Sequence, residues 1–439
     1  MKKHSCLKNK MIFRIIMFGA LTNIFFNSFI IGQNTRVFYE DLTYSPGIKT
    51  VLLYRDGWEL SYPVVELNSE ERLKLTFDEL GNETDTYNYT IIHCNSDWKP
   101  SDIPETEYIN GFTESQITDY EHSFNTTYDY IHYSLVLPND DLSPKISGNY
   151  VLLVYKNFDK NEPVLTRRFY VTEQKVDIEA VVKRPNSNEY YDIGQEVNFK
   201  ILHEGFPIRD PYSDIKVHLM QNYRHDNEIT TLKPLFISPG VLDYTYDYGN
   251  IFKGVSEFRY FDIKSMKYQA EFIESIQFIN PYYHVFLFPS EVRTFKPYFF
   301  TNDLNGKYYV DVQQARDKDI EADYVYVHFY LPLDAPVIEG DVYVFGGLTD
   351  WNTMDANKMV YNFNTHSYEL TLLLKQGFYN FMYAYVPDNS PVADPGYFEG
   401  DHYETENDYS IFVYFSDVTS RYERLIGYVK TNSLSNGTD

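Results

Sequence analysis

Hydrophobic side chains recur at every second position over much of this chain, and the pattern is clearest between residues 341 and 385. Two runs in this stretch show it: Leu370, Leu372 and Leu374, then Tyr379, Phe381, Tyr383 and Tyr385. Gly377 separates the two runs. A period of two places alternate side chains on opposite faces of a β-strand. The stretch therefore predicts consecutive strands of an antiparallel β-sandwich.

Similar strand patterns fill the preceding residues and divide the chain into modules. The first is predicted over residues 34–173, where RLKLTF, NYTIIHC, YIHYSLVL, NYVLLVY and TRRFYV lie between turn-forming clusters. A second is predicted over 174–299 and a third over 300–430, and 431–439 are predicted to be a disordered tail. Aromatic residues, which favour strands, make up 18% of the chain. The predicted fold class is all-β, with three consecutive β-sandwich domains.

Two local signals in the first module concern a turn and a charged pair. Asp56 and Gly57 lie between apolar segments, and glycine tolerates a positive φ, so the pair predicts a two-residue hairpin. Arg167 and Arg168 are adjacent in a predicted strand, so one of them faces outward. A solvated or salt-bridged arginine is favoured there over an anion-binding site.

The third module contains a small-residue turn, Gly346 and Gly347, followed by the triplet 350–352, which reads Asp-Trp-Asn. With Gly377 before an aromatic strand, these residues resemble the early-set immunoglobulin-like domains of glycogen- and starch-binding modules. In those modules the tryptophan stacks on a sugar beside a lysine and a second tryptophan. Met382 stands at the lysine position, and the loop DNSPVADPGYF has no tryptophan. The resemblance implies an early-set fold and offers carbohydrate binding through Trp351 as an alternative function. Packing over the end of the sandwich is the other role predicted for Trp351.

The first residues have the layout of an export signal. Five basic residues accompany an apolar run from Met11 to Gly32. This arrangement predicts a secretory signal peptide over residues 1–32. Polar residues interrupt the run and no basic cluster follows it, which disfavours a membrane anchor.

Charge and cysteine content narrow the possible partners. The predicted leader carries five basic and no acidic residues, so the rest of the chain has 33 basic and 63 acidic residues, a formal charge of −30. Nucleic-acid binding is excluded because phosphate attracts the opposite sign. Cys94 is the only cysteine beyond the leader, so no intramolecular disulfide is expected.

Candidate chemistry is sparse. The chain has no GxSxG, HExxH or P-loop motif and no GxGxxG, so we predict no enzymatic activity and no cofactor. His93 and Cys94 are adjacent and face opposite sides of a strand, which disfavours a metal site. The carboxylates of the loop GDHYETENDY and the preceding Glu399 lack the spacing of a calcium-binding EF-hand. Trp98 follows Asp97 in a turn, where it either anchors a partner or folds back over its own sheet.

A second resemblance covers nearly the whole chain after the leader. It rests on TIIHCNSDWKPSDI, EYINGF, SGNYVLLVY and LTRRFYVTEQ in the first module, HEGFPIRDPYSDIKVHLMQN and SEFRYFDIKSM in the second, and RTFKPYFFTNDLNGKYYVDV after them. These strings are similar to those of the type IX secretion system plug proteins. Together the two resemblances imply immunoglobulin-like sandwiches.

The plug resemblance implies a non-enzymatic periplasmic protein associated with the outer membrane. Its expected partner is the outer-membrane translocon β-barrel, which it seals as a monomer when no substrate is present, without inserting into the membrane. Partner-binding residues stay unknown, with Trp98 and Trp351 as candidates. An exported cargo protein is a third possibility, but the ending YERLIGYVKTNS lacks a clear sorting signal.

Overall fold

The computed structural model describes residues 36–434. Strands dominate this part of the chain, and its helices are single turns. The predicted all-β class is confirmed. The predicted signal peptide, residues 1–32, lies outside the described residues. Among residues 36–434, no helix has both the length and the apolar character needed to cross a bilayer.

The first lobe consists of two packed sheets and one small two-stranded sheet. Its elements are β1 (Leu42–Thr43), β2 (Ile48–Arg55), β3 (Val64–Glu66), β4 (Leu73–Leu80), β5 (Tyr87–Cys94), α1 (Glu105–Tyr108), β6 (Ile109–Gly111), β7 (Ser115–Gln116), β8 (Asp119–His122), β9 (Tyr130–Leu137), β10 (Leu142–Pro144), β11 (Gly148–Lys156) and β12 (Pro163–Thr172). One sheet has the order β1-β12-β11-β5-β7, with β3 beside β12, and the other has the order β2-β4-β9-β8. Alternate residues of facing strands fill the core, among them Leu73, Leu75 and Phe77 of β4 and Tyr87, Tyr89 and Ile91 of β5.

The Asp56-Gly57 turn forms, but it does not join two paired strands. Gly57 has a φ of +82°, and the Trp58 N–H donates to the Arg55 carbonyl at 2.8 Å. The chain then leaves β2 and forms β3, which runs parallel to β12 in the other sheet. β2 pairs with β4 instead, and the Asp56 N–H donates to the Arg72 carbonyl. The hairpin prediction is therefore wrong, although the turn itself is present.

The second lobe starts after β12. Its elements are β13 (Asp177–Lys183), β14 (Gly194–Leu202), α2 (Pro211–Asp214), β15 (Ile215–Gln221), β16 (Phe236–Ser238), β17 (Val241–Asp243) and β18 (Ile251–Lys253). One sheet has the order β13-β14-β17-β16, and β18 also pairs with β14. β15 belongs to a second sheet, which the chain completes only near its C-terminal end.

The third lobe is inserted between β18 and that end. Its elements are β19 (Arg259–Asp262), β20 (Ile273–Ile279), β21 (Tyr282–Leu287), β22 (Tyr308–Val310), α3 (Lys318–Glu321), β23 (Tyr324–Pro332), β24 (Gly340–Phe345), a 3-10 turn (Gly347–Thr349), β25 (Val360–Asn362), β26 (Ser367–Lys375), β27 (Gly377–Pro387) and α4 (Gly396–Glu399). Its sheets have the orders β19-β27-β22, with β24 beside β27, and β20-β21-β23-β26-β25. The last strands, β28 (Asp408–Phe415) and β29 (Arg424–Asn432), return to the second lobe in the order β15-β28-β29.

This pairing corrects the predicted boundaries at 299/300 and at 430. β19 and β21 come before residue 300, yet they pair with β27 and β23 of the third lobe. The modules are therefore not consecutive, because distant segments form the sheets and leave no local signal. The two ends of the insertion are adjacent, since the Asn407 side-chain amide donates to the Gly254 carbonyl at 2.9 Å. β29 includes residues 431 and 432, which the prediction assigned to the tail, and residues 435–439 lie outside the described part.

The sheets of the first two lobes stack directly on each other. Tyr170 of β12 lies 4.2 Å from Phe412 of β28, ring centre to ring centre, and the Tyr414 hydroxyl donates to the Asn149 side chain at 2.7 Å. Every residue of β28 is buried, because both of its faces are covered. The four larger sheets of these lobes thus form consecutive layers within one compact unit.

We expect the second lobe to require β28 and β29. A fragment of residues 36–299 lacks two of the three strands in the β15 sheet, so its residues beyond 173 should be digested rapidly in limited proteolysis. A matched fragment that joins residues 36–254 to 407–434 through a short linker keeps every strand of both lobes, and its second lobe should resist digestion. Mass spectrometry of the digests identifies the cleaved segments. Equal digestion of the two fragments would contradict the inference that the second lobe is discontinuous in sequence.

Candidate functional site

Trp98 lies at the junction between the first and second lobes. It has a φ of +60° in the turn after β5, where its N–H donates to the Asn95 carbonyl at 2.9 Å. Only 8% of the residue is exposed. The Arg168 guanidinium lies 4.3 Å from the ring, and the Tyr170 and His225 rings make edge contacts with it. The side chain therefore covers a junction inside the molecule, and its role in binding a partner stays a prediction.

Trp351 belongs to the third lobe and lines a cavity that Arg167 of the first lobe and Tyr223 of the second lobe also line. Its ring makes edge contacts with Phe258 and Phe345, at centroid distances of 5.9 and 5.3 Å. Gly306 passes so close that a Cβ there would lie 2.3 Å from the indole. The indole is therefore held by the chain itself. Its own role in partner binding also stays a prediction.

The neighbours of Trp351 also contact another lobe. Asp350 has a φ of +52°, and its carboxylate lies 2.9 Å from the buried Arg167 guanidinium of the first lobe. Burial raises the pKa of Asp350 to about 6, although Arg167 opposes the rise. The Asn352 amide donates to the Asp41 carbonyl at 2.8 Å. These contacts engage the triplet on which the carbohydrate alternative depends, and they make Arg167 a salt-bridged arginine, as favoured from the sequence. The early-set likeness stays a prediction.

A buried ion pair fastens the third lobe to the first. The Lys375 ammonium lies 2.7 Å from the Asp78 carboxylate, and each side chain is 1% exposed. The Tyr324 hydroxyl donates to the same carboxylate at 2.6 Å, and the His132 ring lies 2.7 Å from its other oxygen. Burial alone would raise the pKa of Asp78, but Lys375 and His132 outweigh it and lower the pKa. The carboxylate therefore stays charged and fully paired.

A second polar contact holds the same two lobes together. Asp323, just before β23, accepts bonds from the Thr127 N–H at 2.9 Å, the Thr127 hydroxyl at 2.7 Å and the Tyr128 N–H at 3.1 Å. The Tyr128 ring stacks on Tyr282 at 4.5 Å. The turn between β8 and β9 is thus clasped by the third lobe.

All three lobes meet around Lys307. Its ammonium, from the third lobe, lies 3.9 Å from the ring of Tyr62 in the first lobe and 3.7 Å from the carboxylate of Asp408 in the second. Tyr62 stacks on Tyr223 of the second lobe at 4.6 Å. Burial lowers the pKa of Lys307 to about 8, although Asp408 opposes the fall. This point joins the three lobes.

The carboxylates that were considered as a calcium-binding loop pair with different basic residues. Glu399 is buried between Arg259 and Arg293, and Asp401 lies 3.5 Å from Lys253. Within residues 36–434, no three His, Cys, Asp or Glu side chains are placed to hold a metal ion. Glu399 and Asp401 therefore serve as ion-pair partners inside the protein.

His93 and Cys94 are separately buried. The His93 ring lies 2.7 Å from the Ser101 hydroxyl and 3.2 Å from the Ser147 carbonyl, and burial lowers its pKa to about 4. Burial also raises the pKa of the Cys94 thiol to about 12. The Cys94 thiol therefore stays protonated, and both ring nitrogens of His93 have hydrogen-bond partners inside the protein.

Trp58 is an exposed aromatic residue that the sequence analysis did not select. It is 55% exposed, beside a groove of about 690 Å³ between the first and second lobes. The groove is also lined by Leu60, Tyr62, Tyr428 and Lys430. The Asp56-Gly57 turn could have indicated it, because turns lie at the protein surface.

Two comparisons with known proteins agree with this architecture. A family model described as the type 9 secretion system plug protein 1st domain matches residues 48–173, which span β2 to β12. The crystal structure of a hypothetical protein from Parabacteroides merdae is 38% identical, with a TM-score of 0.88 over 90% of this chain and 100% of that one. No curated protein matches the chain.

We expect Lys375→Met to destabilise the fold strongly. It leaves the Asp78 carboxylate buried without its ammonium, and breaking such a pair costs about 3–5 kcal/mol. Urea unfolding followed by tryptophan fluorescence measures the loss. The control is Lys358→Met, because Lys358 pairs with Asp341 at the surface and such pairs contribute about 1 kcal/mol or less. Similar losses in both variants would contradict the importance of the buried pair.

We also expect Asp303 to make stability depend on pH. Burial raises its pKa to about 7, and Glu257 and Glu406 add to the rise. The folded pKa is above the unfolded value of about 3.9, so folding takes up a proton and this contribution to the free energy of unfolding is present at low pH. It is lost as pH rises through about 7, and the loss is roughly 3–4 kcal/mol.

The Asp303→Asn variant should therefore show a flatter stability profile between pH 4 and 8 than the wild type. Urea unfolding at several pH values measures the difference. The exposed Asp140→Asn is the matched control and should keep the wild-type profile. A wild-type profile for Asp303→Asn would show that Asp303 does not carry the effect.

Proposed function

The chain belongs to the type IX secretion system plug protein family, and on that basis we propose that it binds the periplasmic mouth of the outer-membrane translocon β-barrel and seals its pore when no substrate is present. Its general role as a plug and its place in the cell envelope follow from the family. The barrel as partner, the periplasmic side and action as a monomer are part of the proposal.

The observation that carries the proposal is the joining of three lobes into one body. A compact unit of about 400 residues has a radius of gyration of roughly 21 Å. Buried contacts at Asp78, Asp323 and Lys307 connect the lobes. A body of this size and stiffness can block an opening tens of ångströms wide by bulk alone.

The placement of the titratable groups supports a role without catalysis. Two buried ion pairs of the described residues cross lobe junctions, Lys375 with Asp78 and Arg167 with Asp350. A general acid or base needs a proton position within reach of a substrate. These pairs are enclosed by protein and serve its architecture.

A stopper must also come out, which favours an interface of moderate energy with a few aromatic anchors and a polar rim. Trp98 and Trp351 lie in lobe junctions, so we propose that they support binding indirectly by holding the docking surface in shape. Trp58 is exposed and can contact a partner directly.

We expect a strain without this protein to have an outer membrane that admits large solutes, because the open barrel pore would be unblocked. Uptake of a large fluorescent dextran measures this, and expression of the wild-type chain from a plasmid should reverse it. The chain should also co-purify with the barrel from detergent-solubilised outer membranes. Normal permeability and no co-purification together would overturn the proposal.

A further inference from the structure

The segment between β21 and β22 exposes three phenylalanine rings. Phe295, Phe299 and Phe300 are 98%, 81% and 51% exposed. A phenylalanine ring presents about 150–200 Å² of apolar surface, so together they expose roughly 400 Å². An exposed apolar patch of a few hundred Å² on a soluble protein is often a functional site.

The segment is held in place and does not collapse onto the core. Arg293 pairs with Glu399 at 2.7 Å, and the Thr294 hydroxyl donates to the Tyr397 carbonyl at 2.6 Å. Tyr298, between the exposed rings, donates from its hydroxyl to the buried Glu257. We name residues 293–300 the aromatic loop. A loop already fixed in one shape loses less entropy when it binds.

The charges of the aromatic loop decide between a membrane and a protein as its partner. Its two cations, Arg293 and Lys296, are paired with Glu399 and Glu291. The chain as a whole carries a formal charge of −25. Binding to anionic headgroups depends on unpaired basic residues, which this loop does not offer. An apolar protein surface is the partner that fits.

Area decides between a second copy of the chain and a larger partner. A stable interface buries about 800 Å² on each side, roughly twice what the three rings supply. The loop alone is therefore too small to hold a homodimer together. It suits an anchor within a wider contact, where a few aromatic side chains carry most of the binding energy.

We propose that the aromatic loop is the anchor through which this chain docks, with Phe295 and Phe299 inserted into apolar pockets at the rim of the translocon barrel. The inference rests on the proposed function for the identity of the partner. It goes further by assigning the docking surface to one loop of the third lobe.

The test compares two double variants of the full chain. Phe295→Ser with Phe299→Ser removes the anchor, and Phe158→Ser with Phe363→Ser is the control, since those rings are 64% and 72% exposed elsewhere. Exposed substitutions should leave the urea midpoints unchanged. Binding to the purified barrel complex in detergent, measured by biolayer interferometry, should weaken about tenfold or more for the loop variant only.

Each other outcome overturns the inference in a recognisable way. Equal binding by the wild type and the loop variant removes the anchor and leaves the proposed function standing. No binding by the wild type removes both. If sedimentation shows that the wild type is a dimer and the loop variant is a monomer, the three rings contact a second copy of the chain. If the wild type floats with vesicles of phosphatidylethanolamine and phosphatidylglycerol and only the loop variant does not, the three rings bind lipid.

Discussion

An ammonium group enclosed by protein must have an anion beside it, and this requirement fixes the third lobe on the first. Lys375 and Asp78 come from different lobes, and each side chain is 1% exposed. Such a pair adds little stability compared with well-packed hydrophobic residues, but separating its members is costly. Any sliding of the lobes would strand both charges. The pair therefore selects one arrangement, which the contacts of Asp323 and Lys307 reinforce.

The layered sheets give this arrangement its stiffness. A sheet of the first lobe packs against a sheet of the second, where Tyr170 stacks on Phe412. The third lobe contacts both of these lobes through Lys307. Ring stacking, ion pairs and hydrogen bonds all cross these boundaries. Protein interiors of this kind are close-packed and transmit force. Mechanical blocking needs such a body more than it needs any single reactive group.

The local hydrophobic pattern was enough to locate the strands but not to predict which strands pair with each other. Leu73, Leu75 and Phe77 alternate because one face of β4 is buried, so periodicity finds the strand. The pairing of β15 with β28 joins residues about 200 positions apart, and nothing nearby in the sequence specifies it. The Asp56-Gly57 turn was found for the right reason, but the loop after it carries the chain to the other sheet.

The candidate site was predictable to a similar degree. Trp98 was selected as a tryptophan in a turn and Trp351 through its resemblance to sugar-binding modules, and both have a positive φ. His225 of the second lobe contacts Trp98, and the residues on either side of Trp351 contact the first lobe, which sequence spacing cannot show. The exposure of Phe295 was equally hidden, because an apolar residue in a loop can be covered or bare depending on distant packing.

Because β28 and β29 follow the inserted third lobe in the sequence, the second lobe can complete its fold only after the third lobe has been synthesised. A chain made from its first residue onward has every strand of the first lobe by residue 172, and the inserted lobe follows while the second lobe still waits for two strands. Only the last residues close that gap. A copy cut short between residues 254 and 408 leaves an open sheet edge and an uncovered core, and both features make an incomplete chain prone to aggregation. The second lobe can therefore fold only in a chain that includes β28 and β29.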